Sequence, residues 1–125
     1  MHKLIRQKDY EGVLKLLDQG AAVEERGGNG WTLLYNAVDR NNIEIVQLLL
    51  ERGTNVNTRN INDWTPLHRA SMYGDIKIFK LLIDQGANIE ARTSDRLTPL
   101  YIAVTWNKDK QARILLEHGA NVNTT

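Results

Sequence analysis

Residues 63–70 read DWTPLHRA, and the same eight positions return as GWTLLYNA at 30–37 and as RLTPLYIA at 96–103. The interval is 33 residues both times, and it governs more than this box. Gly20, Gly53, Gly86 and Gly119 stand in register, as do Leu16, Leu49, Leu82 and Leu115. Beside them run Leu17, Leu50, Ile83 and Leu116, and the box itself supplies Thr32, Thr65 and Thr98 with Ala37, Ala70 and Ala103. Small, apolar and capping residues recurring together at one interval identify a repeated structural unit.

One unit is readable residue by residue. Thr65 suits a helix N-cap, its hydroxyl placed to accept an orphan backbone N–H. Pro66 and Pro99 follow at the first helical position, where the missing N–H costs nothing. Leu33 takes that place in the earlier copy, so its helix starts more weakly. The spacing predicts a short helix over 66–73 ending near Gly74. A second helix opens at Asp75 and carries Ile76, Ile78, Phe79, Leu82 and Ile83, a broad apolar face at helical period. Gly86 stands where a left-handed C-cap belongs. The stretch ANIEARTSDRLTP (87–99) then runs extended, with a polar turn, to the next threonine.

The TPLH box, the IVQLLL run (45–50), the Gly-Ala after the second helix and the closing Asn-Val-Asn resemble the ankyrin repeat, whose period and T-P-L-H-x-A signature they match. The resemblance covers the whole chain. It implies an all-α solenoid of stacked helix-turn-helix units with projecting β-turn loops, a single domain over 1–125. The units expected are 1–26, 27–59, 60–92 and 93–125. The first lacks the threonine, the proline and the preceding loop, and reads as an N-terminal cap. In the last, Asp109 stands where Ile43 and Ile76 do, Gln111 where Ile45 and Ile78 do, and Ala112 where Val46 and Phe79 do. A terminal repeat has no neighbour over its outer surface, so the last unit reads as a C-terminal cap; a piece of a longer array is the rival reading. In eukaryotic members of the family, asparagines placed like Asn57 and Asn123 can be hydroxylated.

The remaining composition mostly excludes. A net charge of +1 with interspersed signs argues against nucleic-acid binding. With no cysteine there is no disulfide, thiol catalysis or cysteine-bound zinc. The opening MHKLIRQKDY lacks the apolar core of a signal peptide. No apolar run approaches the roughly 20 residues of a membrane span. The expectation is a cytoplasmic monomer, with the nucleus the alternative compartment, binding no membrane. The serines, Ser71 and Ser94, have no base and acid at a spacing that would assemble a triad, so the chain reads as a non-enzyme without cofactor. His68 shares its position with His2, Tyr35 and Tyr101. A position that takes histidine or tyrosine asks for a flat polar ring rather than a metal ligand, and the resemblance implies a histidine tying adjacent loops together. Gly27, Gly28 and Gly30 precede a helix but no G-K-[ST] follows, so no phosphate loop is expected.

Function is sought where the copies disagree. One column precedes the capping threonine: Trp31, Trp64, Leu97. Two more precede the mid-repeat Gly or Asn: Arg6 and Gln7, Asp39 and Arg40, Met72 and Tyr73, Thr105 and Trp106. All three tryptophans fall in these columns. Stacked units place them as ladders on one concave side, and Trp, Tyr, Met and Arg are what interface hot spots favour. Trp31, Asp39, Arg40, Trp64, Met72, Tyr73, Leu97, Thr105 and Trp106 are therefore the candidate contacts for a protein partner, with Asn29, Asn62, Asp63, Asp95 and Arg96 adding polar specificity at the loop tips. The bland alternatives are that Trp31 and Trp64 brace the loop bases, that Met72 fills a gap, and that Asp39 and Arg40 form a solvated pair. Two other functions stand beside the scaffold: a reader of methylated peptides using Trp31 and Trp64, and a purely architectural spacer.

Overall fold

The computed structural model describes residues 1–7, 9–24, 26–27, 30–72 and 75–122, the side chain of Arg6 excepted. The expectations placed on Arg6, Gly28, Asn29, Tyr73, Gly74 and Asn123 lie outside the described residues. Among those described are eight α-helices in four pairs: α1 His2–Arg6 and α2 Tyr10–Asp18, α3 Leu33–Asp39 and α4 Ile43–Glu51, α5 Pro66–Met72 and α6 Ile76–Asp84, α7 Pro99–Thr105 and α8 Asp109–Glu117. The helices start where side chains satisfy orphan N–H groups. The hydroxyls of Thr32, Thr65 and Thr98 accept from the backbone N–H of Tyr35, His68 and Tyr101 at 3.3, 3.3 and 3.2 Å. Asp9, Asn42 and Asp75 cap the second helices α2, α4 and α6 in the same way. Each second helix ends at a glycine with φ between 82° and 90°, the left-handed C-cap expected at Gly86.

Helices of five to nine residues are too short to persist alone. Stacking holds them. The first helices α1, α3, α5 and α7 pack side by side, and α2, α4, α6 and α8 form a parallel second layer. Leu49, Leu82 and Leu115 are fully buried between the layers. The first pair exchanges the residue sizes in two of these columns. Where later pairs have Ala37 with Ile45 and Ala70 with Ile78, it has Leu4 and Gly12, and a Cβ on Gly12 would meet Asp9 Oδ2 at 2.6 Å and Leu4 Cδ1 at 3.1 Å.

Between pairs the chain makes a hairpin-like turn. In the third pair's loop Asp63 N–H donates to Asn60 O and Asn60 N–H to Trp64 O, both at 3.0 Å. Gly30, Asp63 and Arg96 hold the left-handed position of successive turns, with φ of 77°, 60° and 66°. Two ladders tie loop to loop. Arg26 Nη1 donates to Gly30 O and Arg59 O, and Arg59 Nη1 donates to Asp63 O and Arg92 O. Glu24, Asn57 and Glu90 accept from the backbone N–H of Asn55, Asn88 and Asn121, each in the following pair.

Candidate functional site

The first helices and the turns form one face, and the position before each capping threonine lies at its base. Trp31 and Trp64 are half-buried there. Each ring rests against the ring four residues on: Trp31 and Tyr35 have centroids 4.7 Å apart at 51°, Trp64 and His68 5.8 Å apart at 52°. Leu97, half-buried in the same column, offers its carbonyl to His68 Nε2 at 2.9 Å. These three side chains sit at the joint between loop and helix.

His68 is fully buried and its bonds define its tautomer. Nδ1 receives the Thr65 backbone N–H at 3.0 Å and lies 2.8 Å from the Thr65 hydroxyl, while Nε2 lies 2.9 Å from both Ala91 O and Leu97 O. A nitrogen facing an N–H must accept, so the proton is on Nε2, donated to the two carbonyls. The ring thus clips its own pair to the next loop. Burial lowers its pKa to about 4, more than the two carbonyls raise it. Tyr35, one period earlier, is buried too, and its phenol is pushed up to about 12 by desolvation, with Arg69 lowering and Asp39 raising it.

Arg69 organises the middle of the face. Its Nε and Nη2 reach Asp39 Oδ1 at 2.7 and 2.6 Å, and its Nη1 lies 3.7 Å from Met72 Sδ. Asp39 is 12% and Arg69 20% exposed, so the pair is largely withdrawn from water. Asp39 is thus engaged across the pair boundary, whereas its neighbour Arg40 is exposed. Sequence reasoning named Asp39 and Met72 but missed the arginine joining them. Arg69 shares its column with Lys3, Asn36 and Ile102, so periodicity alone does not point to an ion pair there. Further along, Thr105 is exposed and Trp106, the C-cap of α7, is 53% exposed. The structure therefore gathers Asp39 and Met72 around Arg69, seats Trp31, Trp64 and Leu97 at the loop bases, and leaves Arg40, Thr105 and Trp106 open to solvent. The arginine ladder was missed as well, although Arg26, Arg59 and Arg92 keep the period and were visible as a column. Asn57, named for modification, has its amide engaged, Oδ1 with Asn88 N–H at 2.7 Å and Nδ2 with Gly86 O at 3.4 Å.

The family model described as ankyrin repeats (3 copies) matches residues 1–93 and again 62–125. The chain belongs to the ankyrin-repeat family. Ankyrin repeats are in general protein–protein interaction modules and typically do not catalyse reactions. Comparison with curated proteins gives no match. Among the described residues no helix of this ankyrin-repeat chain is long and apolar enough to cross a membrane, and no group of three or more His, Asp or Glu is placed to hold a metal ion.

Proposed function

We propose that this ankyrin-repeat chain is a non-catalytic scaffold that grips a protein partner across its first helices and turn tips. The observation that carries the reading is the contrast among its tryptophans. Trp31 and Trp64 are seated on rings of their own pairs, whereas Trp106 stands 53% exposed at the end of α7. An exposed tryptophan with Arg40 and Thr105 open on the same face has the composition of a binding hot spot. At the turn tips Ile61 is 76% exposed beside Asn62 and Asp63. Because the arginine ladder fixes one turn against the next, these tips are ordered before a partner arrives, and less freedom is lost on binding. The methylated-peptide reading has weaker support, since Trp31 and Trp64 each spend a ring contact within their own pair.

The test is affinity capture with crosslinking from the native cell extract, comparing the wild type with an Arg40→Ala/Trp106→Ala double variant. The expected outcome is loss of the captured partner with an unchanged helical circular-dichroism spectrum. Equal capture by both proteins would leave the spacer reading in place.

A further inference from the structure

The charges of this chain are interspersed along the sequence but separate between the two layers of the fold. Residues 1–7, 26–41, 59–74 and 92–107 hold the first helices and the turns that precede three of them. These segments contain eight basic and three acidic residues, and the rest of the chain eight basic and twelve acidic. The side of first helices and turns therefore carries a net charge of +5 and the remainder −4, in a molecule whose total is +1.

Little of that positive charge is cancelled internally. Arg26 and Arg59 bond to carbonyl oxygens, which leaves their charges in place. Lys3, Arg40, Arg92 and Arg96 are exposed and form no ion pair among the described residues. On the first helices themselves the one carboxylate is Asp39, and Arg69 holds it at 2.6 Å. The same face has one large open ring. Gln7, Arg40 and Trp106 share a position at the ends of first helices, and all three are exposed. Gln7 and Arg40 each have a following pair beside them, so exposure there belongs to the face and not to the end of the stack.

We infer that the partner of this face offers it an extended acidic segment, with carboxylates over Lys3 and Arg40 and an apolar side chain against Trp106. This rests on the scaffold reading above and adds the chemistry of what is bound. Arg40 and Trp106 are the C-caps of α3 and α7, two pairs apart. At roughly 8–10 Å for each packed helix they stand about 16–20 Å from one another. An extended chain advances about 3.3 Å per residue, so five or six residues bridge them. The segment thus carries its acids at one end and its apolar residue five or six positions away. A nucleic acid fits less well, because its phosphates repeat without interruption. They would run past Asp63 and Asp95, both exposed at the turn tips. A peptide can set its carboxylates over the first helices alone, where no free carboxylate opposes them.

The test selects peptides from a displayed library, random over about twelve positions so as to cover the span, against the full chain. The selected pool should be enriched in aspartate and glutamate, with an apolar residue five or six positions from the acids. Between about 0.01 M and 1 M salt the screening length falls from about 30 Å to 3 Å, and the best peptides should weaken at least tenfold, to order of magnitude. Arg40→Glu should weaken them by about tenfold, and a lysine in place of one peptide carboxylate should recover part of the loss. Lys80→Glu, the same reversal on an exposed residue of the other layer, should change binding less than about twofold. Circular dichroism checks that both variants keep their helices. The assignment is overturned if no peptide survives selection, if the pool is no more acidic than the library, or if Arg40→Glu weakens binding no more than Lys80→Glu. A single-stranded oligonucleotide that binds more tightly than the best peptide overturns it too, and would give the face to nucleic acid. The scaffold reading is judged apart from this: capture of the native partner that needs Arg40 and Trp106 but ignores salt would leave that reading standing and remove the acidic segment.

Discussion

His68 and Tyr101 stand at the same point of successive first helices, each three residues past a capping threonine, and they live in different solvents. His68 is buried and bonds through both nitrogens to its own pair and to the next loop. Tyr101 has two-fifths of its surface in water. The threonine N-caps, the lengths of the first helices and the left-handed residue of the preceding loop are alike in the two pairs. Local sequence therefore sets the local form, and the neighbour sets the environment. The largest effect expected from this comparison concerns apolar truncation. Leu82→Ala, inside the stack, should cost about 2–5 kcal/mol, because the removed atoms leave a cavity that two rigid layers cannot close. Val104→Ala should stay within about 0.5 kcal/mol, as for a surface change. Urea melts of the two variants measure both. Equal costs would mean that the fourth pair is as enclosed as the third.

The second contrast is in pH. His68 must be neutral to accept from Thr65, and its folded pKa of about 4 lies below the ordinary value of 6.5. The unfolded chain thus takes up the proton first. The stability that the neutral ring contributes is complete above about pH 6.5 and is lost as the pH falls toward 4, in total about 3 kcal/mol. Tyr35 holds the same position one period earlier, and its phenol, pushed up to about 12 by burial, does not change charge in this window. His68→Gln should therefore be less stable than wild type at pH 7.5, with the gap narrowing between pH 6.5 and 5, where carboxylates still contribute little. A gap that stays constant over that range would mean that the ring is not the group taking up the proton.

Much of this was legible in the sequence because the repeat reports each position more than once. Thr32, Thr65 and Thr98 vote together for a cap, and the four C-capping glycines vote together for a helix end. The family followed from the same columns. What the columns did not carry was anything written once. Arg69 shares its column with Lys3, Asn36 and Ile102, and its ion pair with Asp39 joins residues 30 apart on different pairs, which no column records. The exchange of Leu4 for alanine and Gly12 for isoleucine is invisible position by position, since each residue alone is merely a mismatch. The ladder of Arg26 and Arg59 is the opposite case. Its period was plain, but arginine on a loop reads as solvated charge until the carbonyl 33 residues ahead is seen to fall within reach. For the site, sequence alone proposed one face and set bracing beside partner contact for Trp31 and Trp64, but could not decide between the two, because burial of a ring depends on which ring lies beneath it.

The smallest expected effect concerns the turns, where the three copies share a left-handed position but not a residue type. Gly30, Asp63 and Arg96 all occupy the left-handed region. Glycine enters it freely and aspartate with modest strain, whereas a side chain such as arginine pays roughly 1–2 kcal/mol there. Arg96→Gly relieves that strain but gives the unfolded chain extra freedom, about 0.5–1 kcal/mol in the opposite direction. The net should be a gain of about 0.5 kcal/mol. Gly30→Ala should move the other way. Its Cβ would come 2.7 Å from Ile61 Cγ2, but that side chain is 76% exposed and can swing aside, so the backbone accounts for most of a loss near 1 kcal/mol. Denaturant midpoints at pH 7 resolve both signs. If Arg96→Gly lowered stability, the turn at 93–96 would owe its form to a contact of the arginine side chain rather than to its local backbone bonds, and the likeness among the three loops would be one of outline only.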